Sequence, residues 1–226
     1  MKNSIVLATA VAAALTSSVA AAELSANAGI FSNYIWRGVT QTADEAAGQG
    51  GIDWSDDSGL YAGTWVSTLG GGNGYEMDVY VGFAGEAGDV GYDLGVVTYQ
   101  YPVAPGGNFT EVYASGTVSI VTVGIAATVD SSASTDGGAF DDGDLYINGS
   151  LDFPVSKSDV SIYAGSYAFD NDGDVGVGDL DYSHIGASLS KDGFTFAVDK
   201  NDIDGSSATA EDNVRFTVSY SVDFEL

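Results

Sequence analysis

The sequence predicts an all-β fold: a transmembrane antiparallel up-and-down β-barrel of about 12 strands, preceded by a cleaved signal peptide. Three observations support this prediction. Apolar residues recur at every second position over most of the chain, as in strands with one apolar and one polar face. Longer and shorter connections alternate between these strands. The N-terminus has the order of an export signal.

The first 22 residues are predicted to be the signal peptide, and residues 23–226 to form one barrel domain. Lys2 supplies a positive charge, residues 5–15 form a short apolar run, and three alanines precede Glu23. The apolar run is far shorter than the ~20 residues of a spanning helix. The chain is therefore expected to cross the inner membrane and to enter the cell outer membrane as a closed barrel.

The composition excludes one class of partner and favours many strands. The chain has 226 residues, 32 acidic against 6 basic side chains and a formal net charge of −26. This balance excludes a nucleic-acid partner, because nucleic-acid binding requires a basic face. There is no cysteine, so an exported chain needs another source of stability, and a closed hydrogen-bonded barrel supplies one. The 31 glycines, 13 tyrosines and only 3 prolines are typical of a large sheet.

Period-2 alternation predicts strands at 24–38, 47–55, 59–69, 75–85, 89–101, 108–116, 118–129, 143–153, 158–169, 180–190, 193–200 and 212–225. The connections after odd-numbered strands are mostly longer than those after even-numbered strands. Outer-membrane barrels have this organisation, with longer extracellular loops and short periplasmic turns. A soluble sandwich has no physical reason to alternate its loop lengths in this way.

Alternation along the strands also assigns side chains to the lumen. The predicted lumen and selectivity residues are Glu76, Asp78, Asp93, Glu111, Asp152, Arg37 and Arg215. Charged side chains lining a narrow pore set its ion selectivity, so the acidic residues predict a preference for cations. The alternative is that these carboxylates pair with the few bases and fill the bore.

The two arginines are predicted to lie on the first and last strands, which become neighbours when the barrel closes. At a rise near 3.3 Å per residue, Arg37 and Arg215 are expected at similar heights near the outer rim. Facing inward, they would place positive charge on one wall, opposite the acidic strands. Such a transverse field would orient dipolar solutes.

An acidic stretch, Asp170-Asn171-Asp172-Gly173-Asp174, resembles the start of a calcium-binding loop. Oxygen ligands at alternate positions suit Ca²⁺, and Asp170, Asp172 and Asp174 are the candidate metal ligands. The glycine is at the fourth position instead of the sixth, and Asp181 replaces the usual bidentate glutamate. A solvated acidic loop is therefore favoured over weak Ca²⁺ binding, and no other cofactor is expected.

Histidine and cysteine, two residue types that often carry out acid–base or nucleophilic catalysis, are scarce in the sequence. His184 is the single histidine, and the chain has no cysteine. Its neighbour Ser183 points to the opposite face of the strand, so a Ser–His pair is not formed locally. We expect a protein that is not an enzyme.

Several stretches in order resemble the TorF family of porins. They are 32–42 (SNYIWRGVTQT), 48–54 (GQGGIDW), 59–65 (GLYAGTW), 76–83 (EMDVYVGF), 92–96 (YDLGV), 99–102 (YQYP), 109–113 (FTEVY) and 184–186 (HIG). The resemblance implies an outer-membrane barrel that acts as a porin. Barrels of this kind are inserted by the barrel-assembly machinery, which reads a terminal aromatic residue. Here Leu226 is last and Phe224 precedes it in the same register.

Together these observations predict passive diffusion of small hydrophilic solutes through the outer membrane, with cation preference. Twelve strands lie between the filled eight-stranded barrel and the open sixteen-stranded porin. Inward glycines such as Gly82, Gly95 and Gly186 favour an open bore, whereas inward tyrosines favour a blocked one. The alternative is a closed structural or ligand-binding barrel whose acidic loops bind divalent cations and bridge lipopolysaccharide.

Overall fold

The computed structural model describes residues 23–132, 139–173, 179–203 and 213–226. Twelve long strands form a closed antiparallel barrel, in which each strand pairs with its neighbours along the chain and the first pairs with the last. This confirms the predicted barrel and its strand number. The predicted signal peptide lies outside the described residues. Within the described ranges, no helix is both long and apolar enough to cross a membrane.

The strands are β1 (Glu23–Phe31), β2 (Ile35–Trp36), β3 (Val39–Thr40), β4 (Ala47–Ser55), β5 (Leu60–Thr68), β6 (Tyr75–Ala87), β7 (Val90–Gln100), β8 (Phe109–Val118), β9 (Val121–Ser131), β10 (Leu145–Val155), β11 (Ser158–Ala168), β12 (Tyr182–Lys191), β13 (Phe194–Asn201) and β14 (Arg215–Glu225). All except β2 and β3 belong to the barrel, and those two form a separate small hairpin.

The first strand is shorter than predicted. The ladder between β1 and β4 ends at the pair Phe31 and Ala47, and residues 32–46 leave the wall. We call them the inner segment. Its hairpin turns at Arg37 and Gly38, which both have positive φ (48° and 80°), as in the tight turns of two-residue hairpins. The prediction that Arg37 lies on the first strand is therefore wrong, because this turn interrupts the alternation.

The two ends of the barrel differ in their connections. At one end, the tight-turn end, β4–β5, β6–β7, β8–β9, β10–β11 and β12–β13 are joined by short turns. At the other, the long-loop end, the connections are longer and include the inner segment. The observed alternation agrees with the predicted one.

The outer surface of the barrel is apolar. Large hydrophobic side chains remain exposed on the outward face of the strands, and an exposed apolar surface that continues around a molecule marks a membrane-facing region. Examples from around the barrel are Ile30, Ile52, Val81, Leu94, Val112, Val123, Ile147, Ile185, Phe196 and Phe216. Period-2 alternation thus places lipid-compatible residues outside and polar residues inside.

Inward tyrosines lie over inward glycines on the neighbouring strand. A Cβ added at the glycine would overlap the tyrosine ring in each of these pairs: Gly63 with Tyr80, Gly82 with Tyr61, Gly95 with Tyr113, Gly165 with Tyr146, and Gly186 with Tyr163. The glycines therefore hold the rings against the wall. The tyrosine rings thus occupy the space that these glycines leave on the inner face.

Substitution of Gly95 by alanine is expected to destabilise the barrel by about 1–3 kcal/mol, because the new methyl group overlaps the Tyr113 ring. Gly91, on the same strand and face, is the control. A Cβ at that position would come no closer than 3.8 Å to Thr117, so Gly91→Ala should change stability little. Urea unfolding in lipid vesicles measures both variants, and equal stabilities would contradict the ring-on-glycine packing.

Candidate functional site: the barrel interior

The long-loop half of the interior is filled. Glu76, Asp78 and Glu111 face inward near the long-loop ends of β6 and β8, and they are only 2%, 0% and 1% exposed. The inner segment supplies further buried residues, among them Tyr34 and Trp36. The segment therefore packs inside the bore at the level of these carboxylates, where Tyr34 bonds to Glu76.

An ion pair joins the inner segment to the wall. Both terminal nitrogens of Arg37 donate to the carboxylate of Glu111, at 2.7 and 2.6 Å. Nη1 of Arg37 also donates to the Tyr167 hydroxyl at 3.0 Å, and that hydroxyl donates to Glu111 at 2.9 Å. A bidentate, buried pair of this kind fixes both the position and the orientation of the guanidinium.

Aromatic rings enclose the guanidinium. Its central carbon lies 4.1 Å from the Tyr146 ring centroid and 4.2 Å from that of Trp36, within the range of cation–π attraction. Trp36 in turn packs against Tyr99 and Tyr167. The sequence did not indicate that Tyr99, Tyr146 and Tyr167 would meet here, because they come from strands distant in the chain.

Other contacts tie the inner segment to the barrel. The Tyr34 hydroxyl donates to Glu76 at 2.8 Å, and Asn201 Nδ2 donates to the Gly38 carbonyl at 2.8 Å. At the rim, Arg215 and Asp44 form a salt bridge at 2.8 Å. The segment is thus anchored at several separate points on the wall.

Gly38 permits a close approach to His184. A Cβ at this position would overlap the His184 side chain, so the turn needs glycine for space as well as for its positive φ. Nε2 of His184 shares a hydrogen bond of 2.7 Å with the Tyr146 hydroxyl, and the two rings stack. His184 therefore supports the tyrosine on which the Arg37 guanidinium rests.

The predicted transverse field is not observed. Arg215 does face inward at the long-loop end, but Arg37 lies on the inner segment. Each arginine pairs with a carboxylate, so the two do not form a positive wall opposite a negative one. Asp78 differs: neither of its carboxylate oxygens has a hydrogen-bond partner among the described residues.

The tight-turn half of the interior is less densely filled. The inward carboxylates there include Asp53, Asp93 and Asp152, which are only partly buried. They accept hydrogen bonds from Tyr80, Tyr61 and Ser150, respectively. We call this half the acidic vestibule. Among the described strands, no basic side chain faces inward in this half.

The structure describes two of the three predicted calcium ligands, Asp170 and Asp172. The Asp172 carboxylate accepts the backbone N–H groups of Asp181 (3.0 Å) and Leu180, which lowers its pKa from the usual value. The backbone N–H of Asp170 donates to Asp144 at 2.8 Å. Asp174 lies outside the described residues. Among those described, no group of three histidine or acidic side chains is placed to hold a metal ion.

Comparison with solved structures identifies barrels of similar fold. KdgM porin superposes with a TM-score of 0.55 at 10% identity, covering 89% of this chain and 99% of its own. NanC porin superposes with a TM-score of 0.54 at 14% identity, covering 90% of this chain and 100% of its own. KdgM porin in complex with disordered oligogalacturonate gives a TM-score of 0.51 at 7% identity, covering 90% and 99%. These similarities show a shared fold.

Comparison by sequence gives the family. No curated protein matched the chain. The profile described as "Bacterial protein of unknown function (Gcw_chp)" matches residues 15–226, which includes the whole barrel. The chain belongs to the Gcw_chp family of bacterial proteins, with the barrel fold of the KdgM and NanC porins.

Proposed function

We propose that this protein is an outer-membrane channel for passive diffusion of small hydrophilic solutes, that it prefers cations, and that the inner segment closes it in the conformation described. The acidic vestibule is the observation that carries the proposal. Carboxylates in a bore with low-dielectric walls raise the local concentration of cations. The described part of the vestibule has no inward base to compensate them.

Two resemblances support the channel function. The folds of KdgM and NanC porins are similar to this one, and the motifs that begin at Ser32 resemble the TorF porins. The charge argues for a different solute from that of the KdgM complex, however. Oligogalacturonate is a polyanion, and an interior with Asp53, Asp93 and Asp152 would repel it.

The selectivity prediction uses a triple variant, Asp53→Asn, Asp93→Asn and Asp152→Asn. We expect its cation-to-anion permeability ratio to fall by at least about twofold, because the vestibule loses three of its negative charges while amides preserve its shape. The reversal potential under a salt gradient in a planar bilayer measures this ratio. The control is Asp89→Asn with Asp192→Asn, which removes exposed charges from two tight turns. An unchanged ratio in the triple variant would overturn the assigned role of the vestibule.

The second candidate is a closed structural barrel, and the dense packing around Glu76, Asp78 and Glu111 favours it. In that case the folded, membrane-inserted protein would conduct no ions. Its acidic loops would then bind divalent cations that bridge lipopolysaccharide. Bilayer recordings on protein whose insertion is verified separately distinguish the two candidates.

The proposed location in the outer membrane determines which molecules the protein contacts. Residues 1–22 would direct export through the inner membrane, and the barrel-assembly machinery would insert the barrel. The apolar outer surface would contact outer-membrane lipid and lipopolysaccharide. The tight-turn end would face the periplasm and the long-loop end the exterior, as in other outer-membrane barrels.

A further inference from the structure

We infer that the barrel wall carries a receptor site for guanidinium and related organic cations, and that Arg37 occupies this site until a solute of that chemistry displaces it. The inference rests on the proposed channel function and names its substrate class. We call the wall residues Glu111, Tyr146 and Tyr167 the guanidinium site. They come from β8, β10 and β11, so they remain in place when the inner segment moves.

The geometry of the site fits a planar, forked cation. The two oxygens of Glu111 accept one hydrogen bond each from the two terminal nitrogens of Arg37, at 2.6 and 2.7 Å. The Tyr167 hydroxyl accepts a third and donates its own proton to Glu111. This arrangement matches a guanidinium fork, which a spherical ion cannot reproduce.

The wall also supplies an aromatic face. The Tyr146 ring centroid lies 4.1 Å from the guanidinium carbon, and the hydrogen bond to His184 fixes the ring. Trp36, on the inner segment, provides a second face at 4.2 Å. When the segment leaves, the carboxylate and one aromatic face stay behind on the wall.

Burial sets the preference among cations. Glu111 is 1% exposed while Arg37 occupies the site, and a cation that takes the place of Arg37 between Glu111 and Tyr146 must give up part of its own hydration shell. Guanidinium is more weakly hydrated than an ammonium group and loses water at a lower cost. Since Arg37 is tethered, it competes at an effective concentration of roughly millimolar or more, and a solute must reach that range to displace it.

The test uses the absence of cysteine from the natural chain. Val39 belongs to the inner segment and packs against the buried cluster, so a Val39→Cys variant should react slowly with a maleimide. We expect about 0.1 M methylguanidinium chloride to accelerate labelling severalfold relative to sodium chloride at equal concentration. In the Val39→Cys, Glu111→Gln variant this acceleration should disappear.

Equal labelling rates in the two salts would overturn the inference. If the Glu111 variant does not fold, Arg37→Ala gives a second measurement: methylguanidinium should raise its melting temperature by a few degrees through ligand binding, and no rise would overturn the inference. Both measurements are independent of conductance. A barrel that conducts no ions but responds to methylguanidinium would support the guanidinium site and overturn the channel function. A barrel that conducts ions but shows no response would support the channel function and overturn the guanidinium site.

Discussion

Replacement of residues 32–46 by an Asn-Gly turn is expected to raise single-channel conductance by at least about tenfold, because it removes the closure of a twelve-stranded bore. Phe31 and Ala47 are cross-strand partners, so a two-residue hairpin turn can join β1 to β4 without changing the barrel. Glu76, Asp78 and Glu111 would then line the open bore and should strengthen its cation preference.

The control for this replacement is Gln41→Ala, which changes the inner segment at a side chain that, within the described residues, donates to the Val39 carbonyl of the same segment. Its conductance should equal that of the natural protein. Planar-bilayer recordings measure the conductance of both variants, after a difference in gel mobility between heated and unheated samples has verified folding. A folded replacement variant that conducts no better than the natural protein would show that the inner segment is not the barrier.

A double-mutant cycle on Arg37 and Glu111 is expected to show strong coupling. Arg37→Met leaves the Glu111 carboxylate buried without its cation, which should cost about 3–5 kcal/mol of unfolding free energy. The double variant Arg37→Met, Glu111→Gln should lose less than the sum of the two single variants, because it leaves no uncompensated charge. Urea unfolding in lipid vesicles, followed by tryptophan fluorescence, gives the four free energies.

The rim salt bridge provides the matched control. Asp44 is 56% exposed, so Asp44→Asn should cost less than about 1 kcal/mol even though it also removes an arginine–carboxylate pair. Additive losses at Arg37 and Glu111, of the same size as the loss at Asp44, would contradict the assignment of the buried pair as the main anchor of the inner segment.

Period-2 alternation, together with the alternating connections and the export signal, predicted the barrel because each strand has lipid on one side and the lumen on the other. The pattern therefore repeats in every strand. The even number of strands and the alternating connections were then enough to predict that the sheet closes. Glu76, Asp78, Glu111 and Asp152 were assigned to the lumen for the same reason. Their proposed role in selectivity is a separate matter and stays a prediction.

The inner segment shows where this reasoning fails. Tyr34 and Trp36 continue the alternation of β1, so the sequence pattern predicted a longer strand. Inside a barrel, however, an aromatic residue can be buried equally well on the wall or on a segment folded into the bore. Gly38 is the residue that could have indicated a turn, since glycine readily adopts positive φ, but the strand prediction did not use it.

The sequence by itself determined the architecture, the acidic character and the inward or outward direction of most strand residues, because these depend on local period and composition. Only the tertiary structure decided that Arg37 meets Glu111 between two aromatic rings and that the inward tyrosines lie over glycines. Those contacts join residues far apart in the chain, and their formation depends on the register and curvature of the closed sheet. Whether the bore is filled is a property of packing across the lumen, which no single strand encodes.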